Sequence, residues 1–282
     1  MRVVAPLILA VSLAPLALSC RTHRPARNAA AALPAPRVHV QVLAGSGPDA
    51  APMVLVEAGP FPRGSAAGQG EDDERPQRLI TLDSFAIDRF AVSVAQFRRC
   101  VQASACSAPD GEKLCTYAMP DHDGHPVNCV SWDQATAYCK WAGKRLPTEA
   151  EWEKAARGTD GRTFPWGQQD PNCNLANFAL GNERYCRSQT VPAADYPSSA
   201  SPYGAVQMAG NVFSWVSDWH DREYYRVSPE RNPTGPVVGK YRIVRGGSWF
   251  SPAVDLRATM RGLIPPAVRL NYVGFRCARD VR

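Results

Sequence analysis

The chain has 282 residues, 45% of them hydrophobic and 21% charged, enough to build one large core or two small ones. Its formal net charge of +6 is placed unevenly: residues 1–37 hold Arg2, Arg21, Arg24, Arg27 and Arg37 and no acid, which is +5 of the total. The rest is nearly neutral, which argues against a nucleic-acid partner and leaves a basic tail suited to anionic lipid.

In chain order, Met1–Arg2 precede an apolar run from Val3 to Leu18, interrupted by Pro6 and Pro15, and then Ser19–Cys20. The run is shorter than the about 20 residues that a membrane span needs, so residues 1–20 predict an export signal. Cys20 stands where a lipoprotein signal would be cut and acylated, which predicts a cell-envelope lipoprotein held to its membrane through the N-terminus. Residues 21–51, rich in Ala, Pro and Arg, cannot bury enough surface to offset their ordering entropy and read as a tether. As a coil it would reach roughly 30 Å. A single domain is expected over 52–282.

MVLVEAGPFPRGS (53–65) alternates as a strand and ends in a glycine turn, and RLITLDSFAIDRF (78–90) predicts a further strand pair. Three helices are announced by [ST]-x-x-[EQ] capping boxes, at Ser93–Gln96, Ser131–Gln134 and Thr148–Glu151. Gly143 and Gly158 are placed to stop the second and third in left-handed turns. Ala135, Tyr138 and Cys139 share one face of the second helix, and Trp152, Ala155 and Ala156 share one face of the third. Beyond Gly158 the chain is rich in Gly, Pro and Asn, with scattered Trp and few periodic runs. Such a stretch is stable only when pinned by disulfides, ions or aromatic packing.

Nine cysteines are present; without Cys20, eight remain, and an even set in an exported chain predicts disulfides. The spacing of a zinc site is absent. Cys173 and Cys186 flank a 12-residue loop whose closure would stabilise by about 3 kcal/mol in the loop-entropy account. Cys100, Cys106, Cys115 and Cys129 admit three pairings, of which Cys100–Cys106 with Cys115–Cys129 is preferred.

RLPTEAEWEKAARG (145–158), FPWG (164–167), GNVFSW (210–215), RGGSW (245–249) and GFRC (274–277) occur in an order and spacing that resemble the formylglycine-generating enzymes, the sulfatase-modifying-factor family. The resemblance covers about residues 53–280. It implies an α+β, C-type-lectin-like fold with little regular secondary structure, stabilised by disulfides, and a Cys139–Cys277 bridge. A second family bridge would fall at Ala156 and Ala258, a paired loss that leaves no orphan thiol.

In oxidising members of the family, two thiols after the GGS-aromatic turn bind copper(I). Here Ser251 takes the place of the first, and a stretch holding Asp255 and Leu256 covers the second. A hard hydroxyl does not replace a soft thiolate, so copper is not expected. Calcium is the remaining ion the resemblance implies, with Asn177 and Gln207 as side-chain ligands, but Ser214 and Tyr185 stand where acids would be needed.

The reading is therefore a non-catalytic module that holds an extended peptide or glycan without a cofactor. Ser248, Trp249 and Ser251 mark the degenerate cleft, and Trp215, Asp218, Trp219 and His220 line the same groove. The alternative is an enzyme, either oxidising a sulfatase cysteine or doing thiol-independent chemistry on a peptide-like substrate. His122 and His125 in PDHDGHP read as a solvated turn.

Overall fold

The computed structural model describes residues 40–45, 47–109 and 113–281. The expected signal, Cys20 and residues 21–39 of the expected tether lie outside them. Among the described residues twelve strands and four α-helices follow one another: β1 (Val42–Leu43), β2 (Met53–Val56), β3 (Gly59–Arg63), β4 (Arg78–Leu82), β5 (Phe85–Asp88), α1 (Val94–Gln102), α2 (Trp132–Trp141) and α3 (Glu149–Arg157). Then come β6 (Ala179–Gly181), β7 (Arg184–Tyr185), β8 (Phe213–Trp219), α4 (Tyr224–Val227), β9 (Arg242–Arg245), β10 (Gly262–Ile264), β11 (Val273–Phe275) and β12 (Ala278–Asp280).

All three capping boxes form as the sequence predicts. Ser93, Ser131 and Thr148 each accept the amide three residues on, and Gln96, Gln134 and Glu151 reach back to the cap amide. Gly143 and Gly158 both have positive φ, 71° and 69°, where α2 and α3 stop, but Gly158 has a ψ of −150° and so is not the left-handed helical turn expected there. The predicted faces are buried too, Tyr138 and Cys139 on α2 and Trp152, Ala155 and Ala156 on α3.

Three expectations need correction. The stretch 53–65 is two strands rather than one: β2 and β3 part at Glu57–Ala58 and join different sheets. Likewise β4 and β5 do not pair with each other. β4 pairs β3, with Phe61 opposite Ile80, whereas β5 pairs β2, with Val54 opposite Ile87. The fold also begins before residue 52. β1 pairs antiparallel with β2, and Asp49 is fully buried, its carboxylate 2.7 Å from Lys144 Nζ. The end of the expected tether is thus part of the domain, because the buried Lys144 is held by Asp49 and Asp88 together.

The larger omission is a four-stranded sheet in the region read as loops. Its order is β10–β9–β8–β11, with β11 parallel to β8 and the other pairs antiparallel. β8 and β9 separate two cores. Trp215 and Val244 face one with Phe97, Tyr138 and Phe275, while Val216 and Ile243 face the other with Trp152, Phe61 and Ile87. A strand buried on both faces shows no polar alternation, so FSWVSDW gives no period-2 signal.

Four disulfides fasten this frame: Cys100–Cys106, Cys115–Cys129, Cys139–Cys277 and Cys173–Cys186. All four expected pairings are present. Ala156 and Ala258, where a further family bridge would fall, are both buried in the second core.

Candidate functional site

The chain leaves β9 through Arg245-Gly246-Gly247 and turns at Ser248. Gly246, at φ 93°, is required here, since a Cβ would lie 2.7 Å from the Met208 carbonyl and 2.9 Å from the Trp152 ring. The turn is held by its own hydroxyls. Ser251 Oγ accepts the Ser248 amide at 3.1 Å and lies 3.1 Å from Ser248 Oγ, and the Ser251 carbonyl accepts the Ala179 amide. Ser248 is fully buried and Ser251 nearly so. Trp249 is buried as well, its indole N–H donating to the Asn271 carbonyl.

What the turn presents to solvent is Phe250, 52% exposed. Its ring is near-parallel to those of Tyr185 and Tyr272, with centroids 6.1 and 5.9 Å away. Trp249 packs edge-on behind it. Tyr185 is positioned by the β6–β7 hairpin, which the Cys173–Cys186 bridge closes. Sequence reasoning missed Phe250, Tyr185 and Tyr272; an aromatic directly after Ser248–Trp249 was the available signal for the first.

The other predicted ligand residues are elsewhere. Trp215 is fully buried in β8, its N–H donating to the Val130 carbonyl, and cannot line a groove. Asp218 is buried too, accepting the Glu149 amide at 2.8 Å and the Ser217 hydroxyl at 3.0 Å. Burial, and then the neighbouring Glu149 charge, push its carboxyl up to about 7. Trp219 is half-buried against Arg242, and His220 pairs with Asp73. Among the described residues no hydrogen bond or ring contact joins Trp215–His220 to Ser248–Ser251. The single groove expected from sequence is thus two places, because β8 carries Trp215 into the core and Trp219 to a different concavity. His122 and His125 are half-buried rather than solvated, their rings 4.2 Å apart and His125 Nδ1 2.9 Å from Thr190 Oγ1.

Beneath the turn is an ionic cluster the sequence did not reveal. Arg245 is fully buried and donates to Glu149, Glu153 and the carbonyls of Ala258 and Thr259. Glu149 also takes Arg261 at 2.7 Å and Arg63 at 3.0 Å. Burial alone would push the Glu149 carboxyl up, but Arg261, Arg245 and Arg63 outweigh it and hold it at about 2. The cluster locks the end of β9 onto α3 and so fixes where the Gly246–Ser251 turn begins. Its arginines lie 86 to 112 residues from Glu149, beyond the reach of any local pattern.

The oxygens expected to serve calcium have other partners. Asn177 Oδ1 accepts the Arg187 amide and Gln207 Oε1 accepts Asn211 Nδ2. Tyr185 belongs to the ring stack, and Ser214 is buried in β8. With no carboxylate beside them, Asn177 and Gln207 do not fit a hard cation that takes six or more oxygens.

A second concavity, about 950 Å³, is separate from the turn. Trp132, Trp219 and Arg242 line it together with Leu82, Leu146 and the 232–237 loop.

A low-periodicity α+β frame, three capping-box helices and a GGS-aromatic turn clamped by a buried arginine define a formylglycine-generating-enzyme-type domain. The sulfatase-modifying factor enzyme 1-like domain matches residues 42–281, and the chain belongs to that family. It is 33% identical to the formylglycine-generating enzyme of Streptomyces coelicolor, covering 89% of this chain and 94% of that one. It is 37% identical to the serine/threonine-protein kinase pkn1 of Chlamydia caviae over 82% of this chain, but spans only 38% of that relative. Among solved structures it is similar to PvdO from Pseudomonas aeruginosa, at a TM-score of 0.73 and 25% identity, covering 86% of this chain and 98% of that one.

Proposed function

We propose that this chain binds rather than oxidises: a sulfatase-modifying-factor-type domain that holds an extended peptide or glycan against the Tyr185–Phe250–Tyr272 rings. The observation that carries the reading is the state of its sulfur. Every cysteine between residues 40 and 281 is in a disulfide, and Ser251 Oγ, at the place of the family's first copper thiol, is hydrogen-bonded to the turn. The described residues therefore offer copper(I) no thiolate, and no oxidation step is derived for them. A cluster of aromatic rings whose Phe250 is half exposed suits sugar rings or the apolar side chains of an extended peptide. Four disulfides in so small a domain support an oxidising compartment, consistent with export and anchoring through an acylated Cys20.

The test uses the mature protein purified under air. Free-thiol titration should find none, copper(I) titration should find no stoichiometric site, and a sulfatase-type cysteine peptide should yield no aldehyde. One copper bound per chain, or turnover of that peptide, would overturn the reading. On peptide and glycan arrays, Phe250→Ala should lose the signals that the parent protein gives. Identical array profiles for the two proteins would remove the ring stack as the binding surface.

A further inference from the structure

The groove lined by Trp132, Trp219 and Arg242 lies outside the Ser248–Ser251 turn and has its own chemistry. The Arg242 guanidinium is clamped between two indoles, 3.7 Å from the Trp132 centroid and 3.5 Å from that of Trp219. One Nη donates to the Ser217 carbonyl at 2.6 Å, while Nε is buried with no partner. No carboxylate forms an ion pair with Arg242 among the described residues; Asp218 and Asp133 act on it only at longer range.

Apart from Lys140, the other charged residues of the lining are paired. Lys144 is held by Asp49 and Asp88, Arg145 by Glu151 and Asp280, and Asp83 by Arg231. The acids of the groove are therefore neutralised by their own partners, whereas Arg242 and the exposed Lys140 keep uncompensated positive charge. An arginine stacked on both faces has already lost its rotamer freedom, so a planar anion meets a pre-organised fork. Burial pulls its pKa down to about 10, which still leaves it charged at neutral pH and relieved by an incoming anion.

Shape narrows the occupant. The volume of about 950 Å³ is that of a ligand cleft rather than of a single ion. Its rim is apolar: Pro233, Pro236 and Val237 form one wall, with Val237 93% exposed, and Leu82, Leu146 and Val281 contribute elsewhere. An anion flanked by apolar groups matches this better than a free inorganic anion.

We propose that this groove binds an extended acidic peptide, one Asp or Glu side chain pairing with Arg242 between the two indoles and apolar neighbours lying along Pro236 and Val237. The surface is independent of the ring stack around Phe250, and its occupancy requires no chemistry at Ser248.

The probe is a fluorescent decapeptide library with a central Glu between Val, Leu and Pro positions, both termini blocked, alongside the same library with Gln. Anisotropy against the full mature chain should show saturable binding of Glu peptides and at least about tenfold weaker binding of Gln peptides. Arg242→Met should cost at least about tenfold, and 0.5 M salt should weaken binding of the parent. Since Arg242→Met could disturb the stack, Val237→Asp is the second variant. Lying on the open rim, it should keep the parent Tm yet repel the Glu peptides. Equal binding of Glu and Gln peptides, no binding of either, or indifference to both Arg242→Met and Val237→Asp overturns the proposal. So does preferential capture of an oligoglucuronate through Arg242.

Discussion

Asp218 and Glu149 touch through a backbone hydrogen bond, yet burial moves their carboxyls in opposite directions. Glu149 has three arginines and stays ionised down to about pH 2. Asp218 has hydroxyl and amide donors but no ion pair among the described residues, and rises to about 7. A carboxyl raised in the folded state contributes stability below its unfolded value near 4, and this is lost as pH climbs through 7. A depressed one does the reverse, so Glu149 contributes above about 4 and its share disappears as pH falls toward 2. Stability measured by urea unfolding should therefore peak near pH 4–5 and fall by a few kcal/mol toward neutrality. Asp218→Asn, which keeps an acceptor for the Glu149 amide, should make the neutral limb shallower, leaving the share of Asp88, whose carboxyl burial raises to about 6, and should leave the acid limb. A parent-like slope between pH 4.5 and 7.5 in that variant would refute the assignment. None of this was legible in DWH at 218–220, where a polar-aromatic cluster looked like a cleft; the partner that buries Asp218 is 69 residues away.

At the scale of elements, the best-read parts are those with local grammar. A capping box states its own hydrogen bonds in four residues, so the starts of α1, α2 and α3 are legible in the sequence, whereas the end of α1 carries no such signal. Thr148→Ala should lower stability by about 1 kcal/mol, typical of a lost N-cap, seen as a smaller urea midpoint at unchanged slope. An unaltered midpoint would mean that the Arg145–Glu151 pair holds the helix start unaided. α3 also shows where local grammar ends. Its apolar face was read from Trp152, Ala155 and Ala156, but its charged residues Glu149, Glu153, Lys154 and Arg157 are buried as well. They look like a solvated face until the arginines of β3 and β9 arrive. β1, two residues long in an Ala/Pro-rich stretch, and β8, apolar on both sides, were missed for the complementary reason: neither shows a period.

For the whole molecule, the resemblance carried more than periodicity could. It gave the fold class, and with it the Cys139–Cys277 bridge between residues 138 positions apart. That crosslink ties α2 to the chain just before β12 and spans most of the domain. Loop entropy predicts that it stabilises by about 5 kcal/mol, more than any short bridge here. The double variant Cys139→Ser with Cys277→Ser should thus lose most of a domain's stability and become sensitive to trypsin at 37 °C. Cys173→Ser with Cys186→Ser should lose less and loosen only the β6–β7 hairpin that carries Tyr185. Equal losses would show that the long bridge is not the dominant constraint.

One sheet joins the two ends of the described chain: β1, β2, β5 and β12 lie side by side, so residues 42–43 and 278–280 complete the same layer. During synthesis, β2 and β5 can pair early, but their outer edge stays bare until residue 280 emerges. Folding is then gated by arrival of the tail rather than by local propensity, and slow, chaperone-dependent maturation is the expected kinetic cost of that topology.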